Sequence, residues 1–135
     1  MSEPKISAVR SQVEFRSIKF PAYPGEEEEI NPGLWGKRLA EYLQPKLSEL
    51  GIKAGEFYSE DWGWAIPIEN EAFPLWIGCG HQDEPEDAFL IFIEPSKAQI
   101  RNGLFKKIDT RADVERVAAA LDQILRADSE VREVL

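Results

Sequence analysis

The sequence is poor in residues that build cross-links and metal sites: it holds one cysteine, Cys79, and one histidine, His81. A single cysteine cannot form an internal disulfide, so nothing in the chain requires an oxidising compartment. A tetrahedral zinc site usually draws its ligands from two separated Cys or His pairs, and this chain has no second pair. No phosphate-binding glycine loop, G-x-S-x-G or H-E-x-x-H motif is present. We therefore expect no metal and no other cofactor, and the sequence favours a protein that is not an enzyme.

Long apolar runs and an excess of positive charge are also missing. No segment approaches the roughly 18 apolar residues of a membrane span, and residues 1–5 lack the apolar core of a signal peptide. With 25 acidic against 16 basic residues, the formal net charge of −9 repels phosphate backbones and anionic membranes. We expect a cytoplasmic protein without nucleic-acid or membrane partners, whose charge favours encounter with a basic protein.

A chain of 135 residues has the usual size of one domain, and we interpret residues 1–135 as a single domain. Residues 1–8 are predicted to be a loose N-terminal arm. Residues 21–32 are predicted to be an exposed acidic loop, because the consecutive glutamates at 26–29 repel one another in any compact arrangement. Residues 128–135 are predicted to form a polar tail.

Two amphipathic helices are predicted. The first begins at Asn31, a favoured N-cap, and carries an apolar stripe at three- and four-residue steps from Trp35 to Leu50. Pro45 should kink or divide this helix, and Gly51 supplies the left-handed residue that ends it. The second helix carries a similar stripe over residues 110–127.

Strand-like segments occupy most of the remaining chain, and short links join the central ones. They cover residues 9–20, 52–58, 62–68, 73–80 and 88–93, and residues 95–107 form either a further short strand or a packed loop. Consecutive strands favour an antiparallel sheet, and two one-sided helices would cover the same face of it. The predicted fold is a two-layer α+β domain, with an antiparallel sheet of about four to six strands and two helices on one face, in the order β-α-β-β-β-β-α.

The side chains of the central strands have a clear parity. Residues 62–68 place Trp62 and Trp64 on one side, with Trp64 assigned to the core and Trp62 to either the core or a binding surface. The next strand sends Trp76, Gly78 and Gly80 away from its aliphatic residues, and the glycines leave a trough that a backbone, a large side chain or a ligand could enter. Trp76, like Trp62, is assigned to either the core or a binding surface. Residues 88–93 are apolar at both parities, which indicates a strand covered on both faces or a face buried in a partner.

Three short segments carry a resemblance: LWGKRL at 34–39, EDWGW at 60–64 and WIGCG at 76–80. Together they resemble a pattern found in small uncharacterised bacterial proteins and span roughly the central half of the chain. The resemblance implies a stand-alone bacterial domain and carries no activity.

Three residues are candidates for catalysis: Cys79, His81 and Asp61. On a continuous strand Cys79 and His81 lie on one face, with about 6–7 Å between their Cα atoms, and Asp61 or Asp83 could orient the imidazole. The competing interpretation places Cys79 in the core, because it continues a core parity. Glu60 and Asp61 also stand beside tryptophans that could raise a carboxyl pKa, although a turn explains Asp61 more simply.

The leading functional hypothesis is a non-enzymatic protein-binding domain of the adaptor, chaperone or immunity type. Its binding residues would be Trp62, Trp76, His81 and Glu60 on an acidic surface, and its partner would be a basic protein or a second copy of the chain. The alternative is a small enzyme or ligand-binding protein with a tryptophan-lined pocket that contains Cys79 and His81, where a small molecule would bind.

Overall fold

The computed structural model describes residues 10–82, 84–104 and 106–135. The loose arm predicted for residues 1–8 lies outside these ranges. The elements are, in chain order, β1 (Gln12–Ser17), α1 (Glu26–Glu29), α2 (Lys37–Glu49), β2 (Tyr58–Glu60), β3 (Gly63–Ile68), β4 (Leu75–His81), β5 (Ala88–Glu94), β6 (Gln99–Asn102), β7 (Lys106–Asp109), α3 (Arg111–Arg126) and β8 (Val131–Arg132).

Six strands form one antiparallel sheet in the order β2-β3-β4-β5-β1-β8. Strands β2 to β5 follow one another as a meander, while β1 pairs with β5 and leaves β8 at the edge. The ambiguous segment after residue 95 forms a separate hairpin, β6–β7. The prediction of a two-layer α+β fold with an antiparallel sheet is confirmed, although β8 and the hairpin add to the predicted order.

Both long helices pack on the same face of the sheet. The three- and four-residue spacing of their apolar residues presents one stripe, which the sheet removes from water. Each fully buried aliphatic side chain of this kind stabilises the fold by about 1.5–3 kcal/mol. The centre of the core consists of Leu39, Leu43 and Leu47 from α2, Leu121 and Leu125 from α3, and Ile66, Ile77 and Ile91 from the sheet. None of the described helices is long and apolar enough to cross a membrane.

Helix α2 begins at Lys37, six residues after the predicted start at Asn31. Gly36 occupies the N-cap position of α2, and the side-chain Nδ2 of Asn31 instead donates to the carbonyl of Asp61 at 2.6 Å. The helix also continues through Pro45 without division. Pro45 lies on the exposed side, where water can reach the carbonyl that loses its intrahelical donor. Gly51 has the predicted left-handed conformation, with a φ of 83°.

The predicted exposed acidic loop and the predicted polar tail are both tied to the domain. The acidic segment 21–32 contains the single helical turn α1, and Glu26 within it is only 3% exposed. The tail includes β8, where Val131 is buried and pairs with Ser17. Asp128 holds this end of the chain by accepting hydrogen bonds from Lys19 at 2.5 Å and Tyr42 at 2.7 Å.

Candidate functional site

The open face of the sheet, opposite the helices, carries three aromatic side chains in mutual contact: Trp62, Trp76 and Phe92. We call them the aromatic patch. The ring centroids of Trp62 and Trp76 are 6.0 Å apart with nearly parallel planes, and Phe92 lies 4.9 Å from Trp62 and 5.6 Å from Trp76. All three are partly exposed, and none belongs to the hydrophobic core of the described residues. The patch therefore presents apolar surface to solvent.

The register of the strands explains why the patch forms. Gly78 of β4 lies directly opposite Phe92 of β5, and Trp76 occupies the same face two residues earlier. A methyl group on Gly78 would collide with the ring of Phe92. The trough predicted beside Trp76 is thus filled by a large side chain of the neighbouring strand.

Strand parity predicted that Trp62 and Trp64 lie on the same face of the sheet, and this prediction is wrong. Trp62 lies in the two-residue turn between β2 and β3, outside the regular alternation, and its ring packs on the open face. Trp64 is buried under α2, where its indole Nε1 donates to Oε2 of Glu26 at 2.9 Å. The turn therefore separates the two indoles into a surface group and a core group.

Carboxylates surround the aromatic patch. Glu94 lies directly opposite Trp76, Glu14 is opposite Leu90 on the same face, and Glu60 ends β2 beside the turn that holds Trp62. Within the described part of the chain, none of these three glutamates has a cationic partner within 4.0 Å. The open face is consequently both aromatic and acidic.

Cys79 and His81 lie on the helix-covered side of β4, away from the aromatic patch. Cys79 is fully buried opposite Trp64, and this burial raises the pKa of its thiol, so the reactive thiolate is disfavoured. Asp61, the third catalytic candidate, is exposed in the β2–β3 turn, and Asp83 lies outside the described residues. In the ranges that the structure describes, Cys79 forms no hydrogen bond with His81.

His81 connects three segments of the structure. Its Nδ1 lies 2.9 Å from the carbonyl oxygen of Gly33, and its Nε2 lies 2.6 Å from that of Glu86. The ring stacks on Trp35 at a centroid distance of 3.6 Å and is 5% exposed. The two ring nitrogens thus contact carbonyl oxygens from two separate segments of the chain. This environment gives His81 a structural role and removes it from the proposed binding surface.

Glu26 is the residue that the sequence interpretation missed. Its Oε2 accepts hydrogen bonds from the backbone N–H groups of Gly36 and Lys37 and from the indole of Trp64, each at 2.9 Å. Its Oε1 accepts the N–H of Tyr23, also at 2.9 Å. Because Gly36 has no side chain, Glu26 provides the cap that α2 lacks and places a carboxylate at the positive end of the helix. Nothing in the run of four glutamates distinguishes it from its neighbours.

A cleft of about 710 Å³ opens where β1 ends and β5 begins. Phe20, Trp35 and Phe89 form its apolar wall, while Arg16, Glu27 and Asp87 contribute polar groups. The hydrogen bond and charge of Arg16 hold the pKa of Asp87 below its usual range. The cleft lies beside the Trp35–His81 stack, and neither His81 nor Cys79 is among its lining residues.

Among the described residues, no group of three or more His, Cys, Asp or Glu side chains is arranged to hold a metal ion. Comparison of the chain with protein-family models, with curated proteins and with solved structures finds no match.

Proposed function

We propose that this protein is a non-enzymatic binding domain that recognises another protein through the open face of its sheet. The observation that carries the proposal is the aromatic patch, where Trp62 and Trp76 stay partly exposed although the core lies one sheet thickness away. Tryptophan is enriched among residues that dominate binding energies, and exposed apolar surface with a polar rim is typical of interaction sites. An adaptor, a chaperone of a secreted partner or an immunity-type inhibitor would each use such a surface.

The charge of the rim favours a basic partner over a second copy. In a symmetric dimer through this face, Glu14, Glu60 and Glu94 of both copies would enter one interface. Like charges in an interface oppose association, whereas a basic surface would be attracted to the same rim. We therefore expect sedimentation of the purified chain to report mainly monomer. A tight dimer that Trp76→Ala dissociates would instead assign the face to self-association.

The proposal is tested by affinity capture with matched variants. The double variant W62A/W76A removes the two indoles. The control Leu104→Ala removes an apolar side chain of the β6–β7 hairpin, and Leu104 is 83% exposed. A specific protein should be retained by the wild type and by L104A and lost by W62A/W76A, with circular dichroism confirming that all three are folded. Equal retention by the three proteins, or no retained protein at low salt, would contradict the proposal.

The cleft supports a second candidate function, the binding of a small molecule. Its volume of about 710 Å³ lies within the range of about 300–1,000 Å³ that is usual for ligand pockets. A thermal-shift screen tests this function: a true ligand should raise the melting temperature of the wild type and of L104A. It should fail to stabilise Ala22→Leu, which fills the cleft. A compound library without any such hit would eliminate this candidate.

A further inference from the structure

We infer that the group recognised on the aromatic patch is a cationic side chain, arginine in first place, presented by a segment of a different protein. This inference rests on the proposed function and specifies the chemistry of the partner. It depends on three features of the open face: indole rings without a cation, carboxylates beside them, and a geometry that a planar cation fits.

The first feature is the distribution of cation–π contacts. In the described residues, lysine and arginine side chains lie over Tyr23, Tyr42 and Trp64, at distances of 3.9–5.6 Å from the ring centroids. None lies over Trp62 or Trp76, although tryptophan is the ring that attracts a cation most strongly. The chain's own described cations therefore leave both indoles of the patch available.

The second feature is the position of the carboxylates. Glu94 lies opposite Trp76, and Glu60 is two residues from Trp62 at the end of β2. Arg16, a cation that β1 places on this face, is already paired with Asp87 at 2.7 Å and with Glu133 at 3.4 Å. A cation placed on the indoles would thus meet carboxylates that have no ion-pair partner among the described residues.

The third feature is geometric and separates arginine from lysine. A guanidinium group is flat, so it stacks on an indole while its edge donates two parallel hydrogen bonds to a carboxylate. The nearly parallel rings of Trp62 and Trp76, with Glu94 beside them, offer both contacts at once. An ammonium group is more strongly hydrated and presents no flat face, so we expect weaker binding of lysine.

The experiment follows the four indole N–H resonances in an NMR spectrum, assigned with single Trp→Phe variants. The probes are an arginine hexapeptide with blocked ends and its citrulline counterpart, which has nearly the same shape without the charge. Added arginine peptide should shift the indole N–H resonances of Trp62 and Trp76 until binding is saturated. Trp35 and Trp64 serve as internal controls, because their indole N–H groups donate to the Phe20 carbonyl and to Glu26 inside the protein.

Charge-neutral variants then test the carboxylates. Glu94→Gln and Glu60→Gln should each weaken binding of the arginine peptide by about two- to fivefold, as expected for a partly exposed ion pair. The control Glu28→Gln, an exposed residue of the acidic turn α1, should leave the affinity unchanged. Added salt should weaken binding further, because about 1 M salt reduces the screening length to about 3 Å.

Equal binding of the citrulline peptide, or no saturable shift of Trp62 and Trp76, would overturn the inference. If the protein captured in the previous experiment still depends on the two indoles, the proposed function stands and only the cationic chemistry is wrong. If capture is also indifferent to the indoles, both are wrong. Shifts of the indole N–H resonances of Trp62 and Trp76 on concentrating the protein without peptide would replace the partner with a second copy of the chain and overturn the inference.

Discussion

Replacing Glu26 by glutamine should destabilise the protein by about 2–3 kcal/mol, although the two side chains have almost the same shape. The carboxylate accepts four hydrogen bonds and donates none. A glutamine has only one accepting oxygen, so its amide N–H₂ would face at least one of the four donors in either orientation.

The magnitude follows from the donors that lose their acceptor. A hydrogen bond to a charged group contributes about 1.5–3 kcal/mol, and a buried donor left unpaired costs about 1–3 kcal/mol. Glu26→Gln removes the charge and disturbs at least one bond, which gives the expected 2–3 kcal/mol. Glu26→Ala removes all four and should cost about 4–5 kcal/mol. Small domains are stable by only about 5–15 kcal/mol, so the alanine variant should be close to unfolding.

Urea denaturation followed by circular dichroism measures both free energies of unfolding. Glu28→Gln is the matched control, since it changes the same charge in the same turn at an exposed position. A double-mutant cycle with Trp64→Phe isolates the bond from the indole, and we expect a coupling of about 1 kcal/mol. If Glu26→Gln differs from Glu28→Gln by less than about 0.5 kcal/mol, Glu26 is not the cap of α2, and our account of this segment is wrong.

Three further perturbations test other parts of the structure. Cys79 should react with iodoacetamide only on unfolding, because burial raises its thiol pKa, and rapid labelling of the native protein would contradict this placement. Gly78→Ala should cost about 2 kcal/mol in urea denaturation through overlap with Phe92, and a failure of Phe92→Ala to recover part of that loss would refute the contact. The hydrogen bond from Lys19 lowers the pKa of Asp128 from 3.8 to about 2. The native state then binds this proton less readily than the unfolded state, so the stability from Asp128 is present above about pH 4 and is lost as the pH falls towards 2. Asp128→Asn should lower the free energy of unfolding by about 1 kcal/mol at neutral pH. When that free energy is measured from pH 7 down to pH 2, the variant should lose less of it than the wild type.

The aromatic patch shows how far local pattern identifies a site. Strand parity separated Trp76 and Gly78 from the aliphatic side of β4, but it left open whether Trp76 is buried or exposed. The two-sided apolar character of β5 indicated that this face differs from an ordinary solvated one. The pattern could not identify Phe92 as the side chain over Gly78, because that contact depends on the register between strands. It also assigned Trp62 to the wrong face, since the turn before β3 interrupts the alternation.

The sequence by itself determined the elements whose signal repeats locally: the stripes of α2 and α3, the alternation of β3 and β4, and the left-handed Gly51 that follows α2. These features depend on residues a few positions apart, so the backbone period of a helix or strand is enough to predict them. Only the tertiary structure decided that Glu26 is buried and that the C-terminal segment adds an edge strand. The partners of these groups come from distant parts of the chain. A glutamate in a run of four would be expected to remain exposed, but Glu26 is buried because folding brings four hydrogen-bond donors around its carboxylate.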